Sequence, residues 1–187
     1  MNIAQRRASE VARYEAVYQD QKYALGDRRR EHILDHLNRT PRGSLLDVST
    51  GRGEVVRLAA DMGFAPVKGT EAVPYLCDGE TVLNALAHDL PFEDGAFDVV
   101  TMFDVMEHLL PEDTGLVCKE LRRVARQRVL LTVHNGPSTW RNVGGDLHIN
   151  RRADYDTWHR ELTAHFDCAV VSHGKGSSIS TMFEVVI

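Results

Sequence analysis

Residues 44–53 read Ser44-Leu45-Leu46-Asp47-Val48-Ser49-Thr50-Gly51-Arg52-Gly53, a short apolar run, one carboxylate, and a turn of small residues ending in two glycines. The apolar part has the length and composition of a buried strand. The segment after it, Glu54–Met62, carries apolar residues at helical spacing and meets Gly63 where a helix would stop. Strand, glycine turn and helix form half of a strand-helix-strand unit, and the rest of the chain repeats the alternation. Strands are expected at 66–71, 82–87, 96–103 and 128–133, with a short helix at 73–79 and a longer one at 111–126. Arg122, Arg123 and Arg126 near the end of that longer helix suit its macrodipole. A last helix is expected over 154–164, and two strands, 167–172 and 180–187, join through Gly174-Lys175-Gly176-Ser177-Ser178 as an antiparallel hairpin. The fold class that follows is α/β. It is a doubly wound, mostly parallel sheet of seven strands, the last antiparallel, with helices on both faces and extra helices in the N-terminal segment.

Composition bounds the function. The chain has 187 residues, a formal charge of −5, 43% hydrophobic and 26% charged residues, which is ordinary for a globular domain. The acidic balance disfavours non-specific nucleic-acid binding, which needs many cations against phosphates. Arg28-Arg29-Arg30 is the densest basic run, and a solvated helix face explains it. The cysteines, Cys77, Cys118 and Cys168, are odd in number and form no paired motif. That argues against a disulfide framework and points to a reducing, cytoplasmic setting. No apolar run reaches membrane-spanning length, and the N-terminal residues lack a signal-peptide core.

In doubly wound sheets ligands bind beyond the carboxyl ends of the strands. Three features fall there. The glycine turn lets a ligand approach the backbone and aims a helix N-terminus at it. Glu71 ends the second strand, where a carboxylate can take both hydroxyls of a ribose, and Asp89 follows the third, where it can accept from an adenine amino group. Taken singly, each is also explained blandly, as a common strand-end glycine, an exposed acid or a turn cap. Together, LLDVSTGRG at 45–53 and HDLPFEDGAFDVVTMFDVMEHL at 88–109 resemble the class I methyltransferases that use S-adenosyl-L-methionine. Ser49 stands where that family's first glycine usually sits. The resemblance implies a Rossmann-like core at 44–187 and a helical lid or cap at 1–43, together one domain. It also implies a cofactor site. Asp47, Ser49, Thr50, Gly51 and Gly53 would lie at the methionine portion, Glu71 at the ribose, Ala72, Asp89 and Leu90 at the adenine, and Phe103 and Asp104 at the sulfonium. Tyr23 is the aromatic chosen to cover the amino-acid portion.

Methyl transfer from a sulfonium is an in-line displacement in which the protein mainly positions donor and acceptor. A base is needed only when the acceptor must lose a proton. The irregular stretch 134–152 contains HNGPSTWRNVGGDLHIN, which combines His134, Trp140, Asp146 and His148. Long irregular connections in a compact domain are often functional, so His148 and then His134 are the expected catalytic bases. Asp104, Glu107 and His108 are spaced to share a helical face and could take a divalent cation. Glu-His-Leu also stands at this place in metal-free relatives, and no metal is expected.

The segment Phe103-Asp104-Val105-Met106 lacks the Pro-Pro-aromatic motif of base-amino methylases, and no cysteine follows a proline as in cytosine-carbon methylases. The expected acceptor is therefore a small molecule or a glycan, with oxygen favoured over nitrogen. Two other readings compete. One is an S-adenosylmethionine-binding protein without transfer activity. The other is a nicotinamide-dependent oxidoreductase, whose fingerprint needs a glycine where Val56 stands.

Overall fold

The computed structural model describes residues 1–20, 26–137, 145–173 and 180–187. Two helices come first, α1 (Ile3–Asp20) and α2 (Asp27–Arg39). Then β1 (Leu45–Val48), α3 (Glu54–Asp61), β2 (Val67–Glu71), β3 (Val82–Asn84), β4 (Phe97–Phe103), α4 (Thr114–Val124), β5 (Ala125–His134), α5 (Tyr155–Phe166), β6 (Val170–Ser172) and β7 (Ser180–Val186) follow. They build one seven-stranded sheet in the order β3-β2-β1-β4-β5-β7-β6. The pairs from β3 to β5 are parallel, and β7 runs antiparallel to both neighbours. The expected architecture is therefore the observed one. The direction of winding reverses between β1 and β4, so the carboxyl ends of these strands open a crevice at the middle of the sheet.

Side-chain alternation sorts the core into two layers. Leu45, Val99, Leu130 and Met182 face one side and pack with Ile33 and Leu37 of α2 and Val55 and Ala59 of α3. Their neighbours Leu46, Val100, Leu131 and Phe183 face the other side and pack with α4 and α5 through Val117, Leu121, Trp158 and Phe166. Because both faces are covered, the central strands read as continuous apolar runs.

Several boundaries differ from the sequence expectation. The helix expected at 73–79 is a single 3-10 turn, Pro74–Leu76. Asp78 overrides it: one carboxylate oxygen accepts from the N–H groups of Glu80, Thr81 and Val82, and Gly79 takes φ 78. Side-chain capture of backbone donors favours turn over helix. The strand expected at 82–87 ends at Asn84. The helix expected at 111–126 starts as a 3-10 turn at Pro111–Asp113, and Arg126 belongs to β5. Strand β5 is longer than expected because Ala125 pairs with Phe97 of β4 at its start and His134 with Ser180 of β7 at its end. The hairpin residues 174–179 lie outside the described ones.

Trp158 locks α5 under the sheet. It is fully buried, its indole N–H donates to Asn135 Oδ1 at 2.9 Å, and the Arg152 guanidinium lies 4.5 Å over its ring. Trp158→Ala should cost about 3–5 kcal/mol of unfolding free energy. Urea denaturation followed by circular dichroism checks this, and a loss below about 1 kcal/mol would show that the site refills by collapse.

Candidate functional site

The site begins with the strained turn after β1. Ser49, Gly51 and Gly53 all adopt left-handed backbone, with φ 59, 57 and 74. At Gly51 there is no room for a side chain, since a Cβ would come within 2.6 Å of the Tyr18 hydroxyl on α1. Ser49 has the same backbone sign without being glycine, which accounts physically for the glycine usually found there. Asp47 precedes the turn. It is 2% exposed and accepts from Thr101 Oγ1 at 2.6 Å on the neighbouring strand. Burial pushes its carboxyl up to about 6, against the hydrogen bond from Thr101 that pulls it down.

Glu71 ends β2 and is also buried. Its carboxylate accepts from the N–H groups of Gly51 at 2.8 Å, Ala72 at 2.8 Å and Val73 at 3.1 Å. Burial raises its pKa, and these three donors oppose the rise.

A cavity of about 180 Å³ opens along this edge. Ser49, Glu71, Ala72, Ala87 and His88 wall one part of it, Phe103, Asp104, His108 and Leu147 another, and Tyr14, Val17 and Tyr18 of α1 cover it. A smaller pocket of about 50 Å³ adjoins it, walled by Arg29, Asp47, Ser49, Thr50 and Phe103 among others. Ser49 and Phe103 border both.

Of the residues singled out in the sequence, Asp47, Ser49, Thr50, Glu71, Ala72, Phe103 and Asp104 meet at these two spaces. Gly51 and Gly53 shape the turn beside them. Two others stand apart. Asp89 is exposed, and Leu90 is buried with its N–H donated to Glu120. Neither borders the cavity, where Ala87 and His88 of the same loop take their place. Tyr23 lies outside the described residues. Sequence reasoning missed Tyr14 and Tyr18 as wall residues. Only the packing of α1 over the sheet edge turns them toward a cavity. Arg29 was read as part of a solvated run, yet it pairs with Asp104, whose side chain is 1% exposed.

At the far end three imidazoles and a carboxyl gather. The ring centroids of His108 and His148 are 4.6 Å apart, and those of His148 and His134 4.7 Å. Of these three, His108 borders the cavity, and His148 stands between it and His134. His108 Nδ1 lies 3.1 Å from the carbonyl of Leu147, and His148 Nδ1 2.6 Å from that of Gly136. A carbonyl can only accept, so both Nδ1 atoms carry the proton and both Nε2 atoms hold a lone pair. Burial drives His108 down to about 3 and His134 down to about 4, and lowers His148 as well. Glu107 accepts from the N–H of His134 at 3.1 Å, and burial pushes its carboxyl up to about 8. Trp140, named with this loop, lies outside the described residues.

Comparison with known proteins follows the same lines. Residues 46–133, the span from the glycine turn to the end of β5, match the family described as methyltransferase domain. The family match and the fold together support a class I methyltransferase. The methyl donor these findings support is S-adenosyl-L-methionine. No curated protein matches the sequence. Among solved structures the fold is similar to that of a Burkholderia thailandensis 1,6-didemethyltoxoflavin-N1-methyltransferase, bound to 1,6-didemethyltoxoflavin and S-adenosylhomocysteine. The TM-score is 0.74 at 16% identity, over 100% of this chain and 90% of that one. It is similar too to a magnesium protoporphyrin IX methyltransferase of Synechocystis PCC 6803 with bound S-adenosylhomocysteine, with TM-score 0.64, 15% identity and coverage of 94% and 93%. A methyltransferase from Aquifex aeolicus matches with TM-score 0.62, 16% identity and coverage of 87% and 90%. At these identities the likeness is one of fold. No helix among the described residues is long and apolar enough to cross a membrane.

The methyltransferase departs from its family's glycine at Ser49, where a side chain is held in left-handed backbone. Replacing it with glycine relieves about 1–2 kcal/mol of strain and adds about 0.4–1 kcal/mol of unfolded-state freedom. Ser49→Gly should therefore raise unfolding free energy by roughly 0.5–1 kcal/mol. A shift of the urea midpoint in the opposite direction would mean that the Ser49 hydroxyl contributes more than its strain costs.

Proposed function

We propose that this methyltransferase acts on a small or medium polar acceptor, a small molecule or a glycan, and transfers the methyl group to oxygen. The observation that carries the reading is a nucleoside-type cradle on a cavity that also reaches His108, the first of a cluster of neutral imidazoles. In this reading 1–43 is a helical lid on the core at 44–187, the whole is one domain, and the setting is cytoplasmic.

The cradle fits an adenosyl group. Left-handed backbone at Gly51 and Gly53 shapes the turn beside the cavity, and the Glu71 carboxylate, on the cavity wall, stands where ribose hydroxyls would bond. Asp47 and Thr50 serve the methionine portion, and Phe103 and Asp104 flank the sulfonium. Ala72, Ala87 and His88 bound the adenine side, and Asp89 and Leu90 belong to the loop that carries the last two. S-adenosylmethionine supplies an electrophilic methyl carbon when bound. The acceptor oxygen forms a bond to that carbon, the carbon–sulfur pair stays on sulfur, and the hydroxyl proton passes to the His148–His134 pair. Both imidazoles are neutral near pH 7 because burial lowers their pKa values, so both can accept it. Positioning along the cavity is expected to contribute the larger part of the rate.

Two measurements test the reading. Calorimetric titration should show S-adenosylhomocysteine binding. Glu71→Ala should weaken it about 10- to 100-fold, as expected for the loss of a charge-assisted contact of roughly 1.5–3 kcal/mol, while the exposed acid Glu80→Ala leaves it unchanged. The loss of three backbone partners should also lower the stability of Glu71→Ala, so its folding is checked in parallel. Equal affinities in the two variants would remove Glu71 from the ribose.

The second is a pH profile. A base must be deprotonated to act, and both histidines are depressed below the ordinary 6.5. The acid limb of kcat/KM should therefore lie below 6.5. His148→Ala should abolish most turnover and leave S-adenosylhomocysteine affinity within about threefold. An acid limb above 6.5, or an active His148→Ala, would sink the assignment.

A further inference from the structure

Glu107, His108 and His148 each offer one donor atom, and those atoms all lie within 4.8 Å of one another. We propose that these three side chains bind a divalent first-row transition-metal ion at the acceptor end of the cavity. The inference rests on the cofactor reading above and deepens it by naming what holds the acceptor oxygen, with His148 as a ligand and His134 alone as the base.

Three observations converge. First, Glu107 is wholly buried, and its Oε2 has no hydrogen-bond partner among the described residues. A buried carboxyl oxygen left unpaired costs free energy, and a cation satisfies it. Second, both histidines are oriented as metal-ligating histidines are. Each gives its Nδ1–H to a backbone carbonyl, from Leu147 and from Gly136, which fixes the tautomer and leaves Nε2 as the donor atom. Third, the elements that deliver the ligands are anchored. Asn150 is fully buried beside His148, and its Nδ2 donates to the carbonyl of Met106 at 2.9 Å and to Thr114 at 3.0 Å. Its backbone N–H donates to the carbonyl of Glu107 at 2.9 Å. The loop bearing His148 is thereby stitched to the 3-10 turn Met106–His108 bearing the other two ligands.

Two imidazoles and one carboxylate suit Mn²⁺, Co²⁺, Fe²⁺ or Zn²⁺ rather than the all-oxygen ions. Metal–ligand bonds of about 2.0–2.2 Å place adjacent donors roughly 3–3.5 Å apart, so the three side chains draw in by about an ångström on loading. Three protein ligands leave coordination positions open, which is the pattern of a catalytic rather than a structural site. His108 borders the cavity, so an open position can take the acceptor hydroxyl, lower its pKa and orient it. His148 is then a ligand, and His134, 4.7 Å from it ring to ring, takes the proton. The oxygen–hydrogen bond breaks toward His134, the oxygen–carbon bond forms, and the carbon–sulfur pair remains on sulfur.

The test uses the intact protein after dialysis against a chelator. Titration with Mn²⁺ followed by electron paramagnetic resonance, and with Co²⁺ followed by visible absorption, should show one site per chain. Glu107→Gln, close in shape to the protonated carboxyl, and His148→Ala should each weaken it at least about tenfold. A His32→Ala, His36→Ala double variant, which removes imidazoles packed 4.8 Å apart elsewhere on α2, should leave it unchanged. S-adenosylhomocysteine titration of the metal-free protein separates the two claims. Homocysteine-adduct binding without metal binding overturns this inference and keeps the cofactor reading. Metal binding that survives in folded Glu107→Gln and His148→Ala, or that is lost with His32 and His36, also overturns it. Failure of the adduct to bind overturns the cofactor reading by itself.

Discussion

The Glu71 carboxylate accepts three backbone N–H groups, and one of them, from Gly51, belongs to a different strand-end turn from its own. That contact ties the end of β2 to the turn after β1. It fixes the turn in the left-handed path that Gly51 and Gly53 make possible, and the path in turn sets where α3 begins and where a ligand can approach the backbone. The reversal of strand order between β1 and β4 puts this turn at the open centre of the sheet edge rather than under a helix. The same edge receives Phe103 at the end of β4, Asp104 just after it and His134 at the end of β5, so the histidine cluster adjoins the cradle's cavity through His108 because parallel strands end together.

Electrostatics divides that cavity. Toward the glycine turn, buried acids are satisfied by hydrogen bonds from Thr101, from backbone N–H groups and, at Asp104, by the cation of Arg29. Toward the loop after β5, the groups are packed so closely that burial favours their neutral forms, carboxyl and imidazoles alike.

What the sequence disclosed depended on how local the cause was. The short apolar run at Leu45-Leu46 marked a buried strand, and the alternation of strands with helices disclosed the winding of the sheet. The glycine turn and Glu71 were legible because their roles follow from position at strand ends. Asp78 cancelled a helix by capturing three N–H groups, a contest between side chain and backbone that apolar spacing does not register. Asp104, Glu107 and His108 were visible as a triplet on one imagined helical face. The left-handed backbone of Asp104, with φ 52, turns it away to Arg29, and His148 from a loop forty residues downstream replaces it in the cluster. Contacts of that range are set by tertiary packing, and no spacing rule reaches them.

The covering helix illustrates the same limit. Among its described residues α1 fully buries only Val17, so its place over the cavity owes little to apolar burial. Arg7 pairs with Asp113, which is 4% exposed, while the Arg6–Glu112 pair lies in solvent, where such pairs contribute little. Further ties are the edge-on contact of the Tyr14 ring with His108 and bonds to backbone carbonyls. The Tyr75 hydroxyl donates to that of Glu15, Arg52 to that of Tyr18 and Arg13 to that of Asp146. The core beneath is held by interlocked side chains of two apolar layers, and the cover by polar contacts that water can replace. Separating α1 from the edge therefore costs far less than separating any strand from the sheet, and the cavity wall formed by Tyr14 and Tyr18 is the one part of the site not built on the rigid scaffold.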